Sequence, residues 1–161
     1  MPEDKNKIEL ENSKTEYKYL RTNLLVPSLR ILSENKNNEY PQNLFEMGTV
    51  FTLDKSKKSD TGIIETEFLC AVLCAEDSNY TKIRQVVDYL FRMMGVTYEV
   101  LPGNDDKFID GRTGKITVNG NSIGIVGEIH PKTLVNVGID MPVAAFELNL
   151  SDLFEATNHK H

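Results

Sequence analysis

Glu128 and His130 form the first pair whose types and spacing could support a reaction. Residues two apart in an extended segment point to the same side, so the carboxylate and the imidazole could act as an acid–base pair. The alternative is that His130 caps a corner between a strand and a helix while Glu128 is solvated or paired. The sequence places no nucleophile or third polar partner beside them, which favours the structural role.

An acidic cluster is the second candidate. Asp105, Asp106 and Asp110 lie close together in the sequence, with Arg112 nearby. Carboxylates could bind a divalent cation, but the regular ligand spacing of a calcium loop is missing. A solvated loop with a contact between Asp110 and Arg112 is therefore the favoured interpretation.

Lysines and histidines give two weaker signals. Lys55, Lys57 and Lys58 could contact phosphate, although a basic hairpin tip usually faces water. His159 and His161 could hold a metal weakly, but they lie in a terminal tail, where disorder is the default expectation. Neither group predicts a site.

Cys70 and Cys74 lie in an apolar run, residues 68–75, that is typical of a central strand buried on both faces. Four residues apart on a strand, their side chains would be about 13 Å apart, too far for a disulfide. On a helix the same spacing could hold a metal, but further ligands are lacking nearby. We predict two small core residues.

Composition narrows the class of protein. The chain has 161 residues, 40% hydrophobic and 26% charged, with a formal net charge of −6. The net charge disfavours a general nucleic-acid coat protein but leaves a local RNA contact open. The sequence has no apolar stretch long enough for a membrane span and no apolar centre of a signal peptide near its start, so we expect a cytoplasmic protein.

Periodicity and turn signals predict an α+β domain with an antiparallel sheet flanked by helices. Asn119-Gly120 is a strong hairpin signal, and Gly120, Gly124 and Gly127 follow hairpin spacing instead of forming a phosphate-binding loop.

We expect an extended or disordered lead-in at 1–19, one domain at 20–156 and a disordered tail at 157–161. The predicted helices cover 25–36, 81–94 and 131–137, and the predicted strands cover 7–11, 44–53, 63–75, 97–101, 115–118, 122–126 and 143–150.

Five segments of the sequence, taken together and in this order, resemble those of a known protein family. They are Leu20-Arg21-Thr22-Asn23-Leu24-Leu25-Val26-Pro27-Ser28-Leu29, Leu44-Phe45-Glu46-Met47-Gly48-Thr49-Val50-Phe51, Gly111-Arg112-Thr113-Gly114-Lys115-Ile116, Ile123-Gly124-Ile125-Val126-Gly127-Glu128-Ile129-His130-Pro131 and Pro142-Val143-Ala144-Ala145-Phe146-Glu147-Leu148-Asn149-Leu150. This series resembles the carboxy-terminal, class II synthetase core-like domain of the phenylalanyl-tRNA synthetase beta subunit, in its archaeal and eukaryotic form. The resemblance covers about residues 20–153.

The resemblance implies a catalytically degenerate core. Class II cores bind ATP with an Arg-x-Glu pair, and the comparable strand here has Leu44 and Glu46, so the arginine is missing. A late glycine-rich motif ending in arginine is also missing from the range 146–154. Leucine cannot make the charge-assisted contacts that bind phosphate. We therefore expect no catalytic, cofactor-binding or metal-binding residue in this domain, and no activity from the domain alone.

The same resemblance implies partners. The catalytic alpha subunit would use ATP and Mg in the holoenzyme, and the beta core would support assembly and help to place tRNA(Phe). The stretch before Leu20 is too short for the first class II motif, which suggests a fragment of a larger subunit or a stand-alone relative. An uncovered interface would allow self-association.

Two other functions stay open at this point. One is a small ligase or transferase that uses Glu46, Arg112, Glu128 and His130. The other is a regulatory protein, derived from a synthetase, that binds RNA or a small amino acid.

Overall fold

The structure, a computed structural model, describes residues 8–9, 19–56 and 60–158. One six-stranded antiparallel sheet has the order β1-β2-β6-β5-β4-β3. Its strands are β1 (Gln42–Leu53), β2 (Ile63–Cys74), β3 (Glu99–Pro102), β4 (Phe108–Val118), β5 (Asn121–Ile129) and β6 (Val143–Asn149). The helices are α1 (Leu25–Glu34), α2 (Tyr80–Met94), α3 (Pro131–Val137) and α4 (Leu150–Asn158). The predicted α+β architecture is confirmed.

Helices cover both faces of the sheet, and each face has its own apolar core. The α1 face is the one covered by α1 and α3, and the α2 face is the one covered by α2 and α4. The fully buried core of the α1 face includes Leu24, Leu29, Val72 and Cys70. The core of the α2 face includes Ile83, Val87, Phe91, Phe146 and Leu148.

Local sequence signals explain where α2 begins and ends. The side chain of Asn79 accepts a hydrogen bond from the backbone N–H of Lys82, which caps the helix. Gly95 adopts the left-handed conformation that ends it, with φ of 66°. Ile83, Val87 and Phe91 form the buried stripe. The predicted helix is confirmed, one residue longer at its start.

The Asn119-Gly120 hairpin is also confirmed. Both residues have positive φ, 50° and 80°, as the favoured two-residue hairpin turn requires. β4 and β5 extend beyond the predicted ranges, and β4 begins at Phe108 with irregular pairing between Phe108 and Thr113. Irregular pairing weakens the alternation on which a strand prediction depends.

The carboxyl end of the chain differs from the prediction. The strand ends at Asn149, and α4 runs from Leu150 to Asn158, two residues into the predicted disordered tail. Asn149 accepts a hydrogen bond from the backbone N–H of Asp152 at 3.0 Å, so it caps the helix. Leu150, Leu153 and Ala156 of α4 are buried in the core of the α2 face.

The start of the described chain contains one isolated bridge between Glu9 and Tyr19. Most of the strand predicted at 7–11 lies outside the described residues. Among the residues that are described, none of the helices has both the length and the apolar character that crossing a membrane requires.

Candidate functional site

Glu46 lies on the α1 face of β1, where the resemblance places the degenerate ATP site. Arg21, in the segment before α1, reaches it although no sequence motif pairs the two residues. The Arg21 guanidinium forms an ion pair with Glu46, and Arg21 Nε donates a hydrogen bond to the Thr49 carbonyl oxygen at 2.8 Å. Phe51 N–H donates to the Arg21 carbonyl oxygen at 2.9 Å, so backbone and side chain both attach this segment to the edge of β1.

Gly48 makes room for that guanidinium. A Cβ at this position would lie 2.4 Å from Arg21 Nη2. Glycine therefore allows Arg21 to lie against β1 and to use its donors on Glu46 and Thr49. β1 continues through Gly48 without a register shift in its pairing with β2, so this glycine marks no bulge.

α1 covers the α1 face mainly over β1 and β2, and an open cavity of about 330 Å³, lined by Phe68, Ile125 and Glu147, remains further along this face. Leu24 and Ser28 are 0% exposed and Leu29 is 1% exposed. Ser28 Oγ donates to the Leu24 carbonyl oxygen at 2.8 Å, so its hydroxyl is satisfied within the helix. Buried apolar side chains of α1 thus cover the surface of β1 and β2 beside Glu46.

Glu147 anchors the start of α1 from the neighbouring strand β6. Its carboxylate accepts hydrogen bonds from the backbone N–H groups of Leu24 and Leu25 at 2.6 and 2.9 Å. These donors are among those that a helix N-terminus leaves unpaired, and the helix dipole favours an anion there. Burial raises the pKa of Glu147, while the two N–H donors oppose that shift. Alternation along β6 puts Glu147 on the face opposite to Phe146 and Leu148, but nothing in the sequence near Glu147 indicates its partners.

The two cysteines lie on the α1 face of β2, and both are free and buried. Burial raises the pKa of Cys70 to about 12 and that of Cys74 to about 11. Both thiols therefore stay neutral, which makes them poor nucleophiles. The prediction of core cysteines on an interior strand is confirmed. The prediction that this strand is buried on both faces is wrong, because Leu69, Ala71 and Leu73 on its α2 face are only half-buried.

His130 is the N-cap of α3, and its Nδ1 accepts a hydrogen bond from the backbone N–H of Lys132 at 3.1 Å. Glu128 accepts from the backbone N–H of Tyr80 at 2.8 Å and from Arg112 Nη1 at 2.7 Å. The structural role favoured for both residues is confirmed. Glu128 thus faces the start of α2, whereas Glu46 faces α1, so the sheet separates two members of the alternative active site.

The acidic cluster lies in a loop, and the hydrogen bonds of Asp105 stay within that loop. Asp105 accepts from the backbone N–H of Lys107 at 2.9 Å and from Lys107 Nζ at 3.4 Å. Arg112 pairs with Glu128 and not, as predicted, with Asp110. Within residues 8–9, 19–56 and 60–158, no group of three or more metal-ligating side chains comes together. Lys57, Lys58, His159 and His161 lie outside the described residues.

An open apolar groove, about 460 Å³ in volume, runs over the α2 face of β1 and β2. We call it the β1–α2 groove. Its floor includes Phe45, Leu69 and Leu73, and α2 forms one wall with Val86, Tyr89, Leu90 and Met93. Apolar residues on both faces of β1 are visible in the sequence, but the sequence does not show which of them stay uncovered.

Comparison with solved structures defines the class of fold. PylSc, a pyrrolysyl-tRNA synthetase from Desulfitobacterium hafniense, superposes with a TM-score of 0.76 at 14% identity, over 96% of this chain and 54% of that chain. At this identity the likeness concerns the fold alone. The fold is that of a class II aminoacyl-tRNA synthetase core, as predicted.

Sequence comparison then gives the family. The family model of the phenylalanyl tRNA synthetase beta chain CLM domain matches residues 1–150, and the chain belongs to this family. The phenylalanine–tRNA ligase beta subunit of Thermococcus kodakarensis is 40% identical over 148 residues, 91% of this chain and 25% of the relative. The beta subunit of Pyrococcus abyssi is 41% identical over 132 residues, 81% of this chain and 23% of the relative. The chain thus spans about a quarter of the length of these relatives.

Proposed function

We propose that the chain is the non-catalytic core-like module of a phenylalanine–tRNA ligase beta subunit of the archaeal and eukaryotic type, at the carboxy-terminal end of that subunit and in the cytoplasm. In this role it supports assembly with the catalytic alpha subunit and helps to place tRNA(Phe). The observation that carries the proposal is the packing of α1 over β1 and β2 beside Glu46, together with membership of the beta chain family.

Adenylation is disfavoured on steric and electrostatic grounds. Activation of an amino acid needs an open surface for ATP and cationic groups that stabilise phosphate charge. On the α1 face, buried α1 side chains cover β1 and β2 beside Glu46. The Arg21 guanidinium beside Glu46 is already bonded to Glu46 and Thr49. ATP and Mg would therefore be bound by the alpha subunit of the holoenzyme.

A contact with tRNA would be limited in extent. The formal net charge of −6 provides no general attraction for a polyanion. Local cations such as Lys55 could still contact one or two phosphates, and titration with tRNA(Phe) at two salt concentrations measures this contribution. A regulatory RNA-binding protein would instead show tight binding that weakens steeply with salt.

The test is co-purification with the catalytic alpha subunit. The alpha subunit of Thermococcus kodakarensis, expressed with an affinity tag, is mixed with this chain and captured, and the stoichiometry is measured by light scattering. We expect a defined complex at a constant ratio. Failure of the chain to bind that subunit, while the beta subunit of the same organism binds it, would contradict the assembly role.

A further inference from the structure

The two edges of the sheet differ in how well they are protected from pairing with another chain. β3, at one edge, has 4 residues and ends at Pro102, which carries no N–H. A short edge strand that contains proline is a common form of protection. β1, at the other edge, has 12 residues, contains neither proline nor lysine, and pairs with β2 without a bulge. By these criteria β1 is the unprotected edge of the sheet.

Hydrogen bonds at one end of β1 show which backbone groups point away from β2. Phe51 N–H donates to the carbonyl oxygen of Arg21, which lies outside the sheet, at 2.9 Å. The Thr49 carbonyl oxygen accepts from Arg21 Nε at 2.8 Å. In an antiparallel pair, every second residue directs both its N–H and its C=O away from the neighbouring strand. Because the register with β2 is unbroken, the same outward set includes Asn43, Phe45 and Met47.

The chain closes only the carboxyl-terminal part of this edge, where Arg21 bonds to the outward groups. None of the residues that the structure describes pairs with the outward groups of Asn43, Phe45 and Met47, and we call these three residues the open edge. Each of them presents one N–H donor and one C=O acceptor, at intervals of about 7 Å. Such a row of groups is a template for one more strand.

The side chains of the open edge lie on an apolar surface. Phe45 and Met47 are 77% and 67% exposed on the α2 face, and Phe45 lines the β1–α2 groove. Contiguous apolar patches of this kind mark interaction sites. A strand paired with the open edge would place every second side chain on this face, directly beside Phe45 and Met47. Those side chains should therefore be apolar.

The other side chains of such a strand would lie on the α1 face. Glu46 lies there, and its charge is already paired with Arg21. Leu44, also on this face, packs against the core of the α1 face. A charged side chain on the added strand would thus meet no unpaired opposite charge beside Glu46. Uncharged polar residues fit these positions.

The backbone groups also decide between a strand and a helix as the occupant. A helix in the β1–α2 groove would satisfy its own backbone and leave the open edge unpaired. An extended segment pairs with the open edge and covers part of the groove with the same residues. Its length is limited, because Arg21 Nε lies against Thr49 at one end and β1 begins at Gln42 at the other.

We propose that the open edge of β1 binds an extended segment of a partner protein by antiparallel strand addition, with apolar residues of that segment beside Phe45 and Met47 and uncharged polar residues between them. The segment would form a seventh strand beside residues 42–47. An antiparallel direction matches the rest of the sheet, in which every neighbouring pair is antiparallel. The proposal is independent of any binding of the alpha subunit.

The first experiment uses a synthetic probe, a capped peptide in which valine alternates with threonine and a lysine stands at each end. In the bound peptide the valines would lie opposite the open edge, so their N–H groups point to β1. N-methylation of the valines removes these donors and should weaken binding about tenfold or more. N-methylation of the threonines is the matched control and should leave binding unchanged. Fluorescence anisotropy of the labelled peptides, titrated with the full chain, measures the dissociation constants.

Amide hydrogen exchange identifies the groups that the peptide contacts. In the free chain we expect slow exchange at Leu44 and Glu46, whose N–H groups point to β2, and fast exchange at the open edge. The unmodified peptide should slow exchange of Asn43, Phe45 and Met47 about tenfold or more. Exchange at Leu44 and Glu46 serves as the internal control and should not change.

Two variants at Phe45 separate the backbone contact from the side-chain contact. Phe45→Pro removes the outward N–H, whereas Phe45→Thr keeps it, and both variants lose the aromatic ring. The peptide should bind Phe45→Pro about tenfold or more weakly than Phe45→Thr. Circular dichroism checks the fold of both variants, and the two methylated peptides give the same test on the unaltered chain.

Three outcomes would overturn the proposal. Equal binding of the two methylated peptides would place the probe in the groove without strand pairing. No binding of the unmodified peptide at millimolar concentration would mean that the edge does not accept a strand. Association of the chain with itself in sedimentation, with slow exchange at the open edge in the absence of peptide, would assign the edge to a second copy.

Discussion

Over strands β1 and β2, the two faces of the sheet differ in how well other side chains cover them. On the α1 face of β1 and β2, Leu24 and Leu29 are buried completely or nearly so, whereas on the α2 face Phe45 and Met93 are mostly exposed. Over these two strands, the face to which the resemblance assigns chemistry is closed by the chain itself. The opposite face is open and apolar. The same two strands thus contribute to stability on one side and leave apolar surface exposed on the other.

The largest difference in the free energy of unfolding should come from truncating one side chain on each face of the sheet. Leu29→Ala removes a fully buried side chain on the α1 face and should lower the free energy of unfolding by about 3 kcal/mol. Met93→Ala removes an exposed one on the α2 face and should change it by less than about 0.5 kcal/mol. Urea unfolding of both variants, at a concentration where the chain is monomeric, measures the difference. Equal losses would mean that the two faces do not differ in packing.

The anchor of α1 should have the next largest effect. Glu147→Ala leaves the N–H groups of Leu24 and Leu25 without their acceptor, which should cost about 2 kcal/mol. Glu147→Gln keeps an acceptor oxygen and should stay within about 1 kcal/mol of the wild type. Chemical unfolding at neutral pH compares the two variants, and an equal loss in both would contradict the role of the N–H contacts.

Stability should also depend on pH through Glu147. Its pKa in the folded chain is raised above the usual 4.5, chiefly by burial. Between 4.5 and the raised value, the folded state binds more protons than the unfolded state, so stability falls as pH rises through this window. Below the window that stability is fully present. Glu147→Gln should remove this contribution, so the variant gains stability relative to the wild type as pH rises. A constant difference from about pH 4 to pH 8 would contradict the raised pKa.

The smallest effect on stability is expected at His130. The structural interpretation makes this residue a helix cap, and the alternative interpretation makes it part of an active site. His130→Ala removes the cap of α3 and should cost about 1 kcal/mol. His130→Asn supplies another capping side chain and should recover most of that loss, which thermal unfolding would show. If alanine left stability unchanged, the capping role would be wrong.

Local signals allowed much of the fold to be predicted from the sequence. Asn79 and Gly95 bound α2, Asn119-Gly120 closes a hairpin, and Pro131 opens α3. These features depend on residues next to each other in the chain. The range of α4 was missed because Leu150 continues the apolar alternation of β6, although Asn149 and Asp152 form a capping signal.

Contacts between distant residues could not be predicted in this way. Arg21 meets Glu46 across 25 positions, and Glu147 meets Leu24 across 123 positions. No spacing rule links such residues, because their proximity depends on how strands and helices pack. The β1–α2 groove was missed for the same reason, since alternation identifies apolar positions but not which of them a helix will cover.

Phenylalanine-dependent exchange of pyrophosphate into ATP tests the central claim most directly. The chain is assayed alone, and the catalytic alpha and beta subunits of Thermococcus kodakarensis serve together as the active control. We predict that the chain alone stays at background, because packed side chains of α1 cover β1 and β2 beside Glu46 and the Arg21 guanidinium is bonded within the protein. Exchange clearly above background, abolished by Glu46→Gln in a folded variant, would contradict the account.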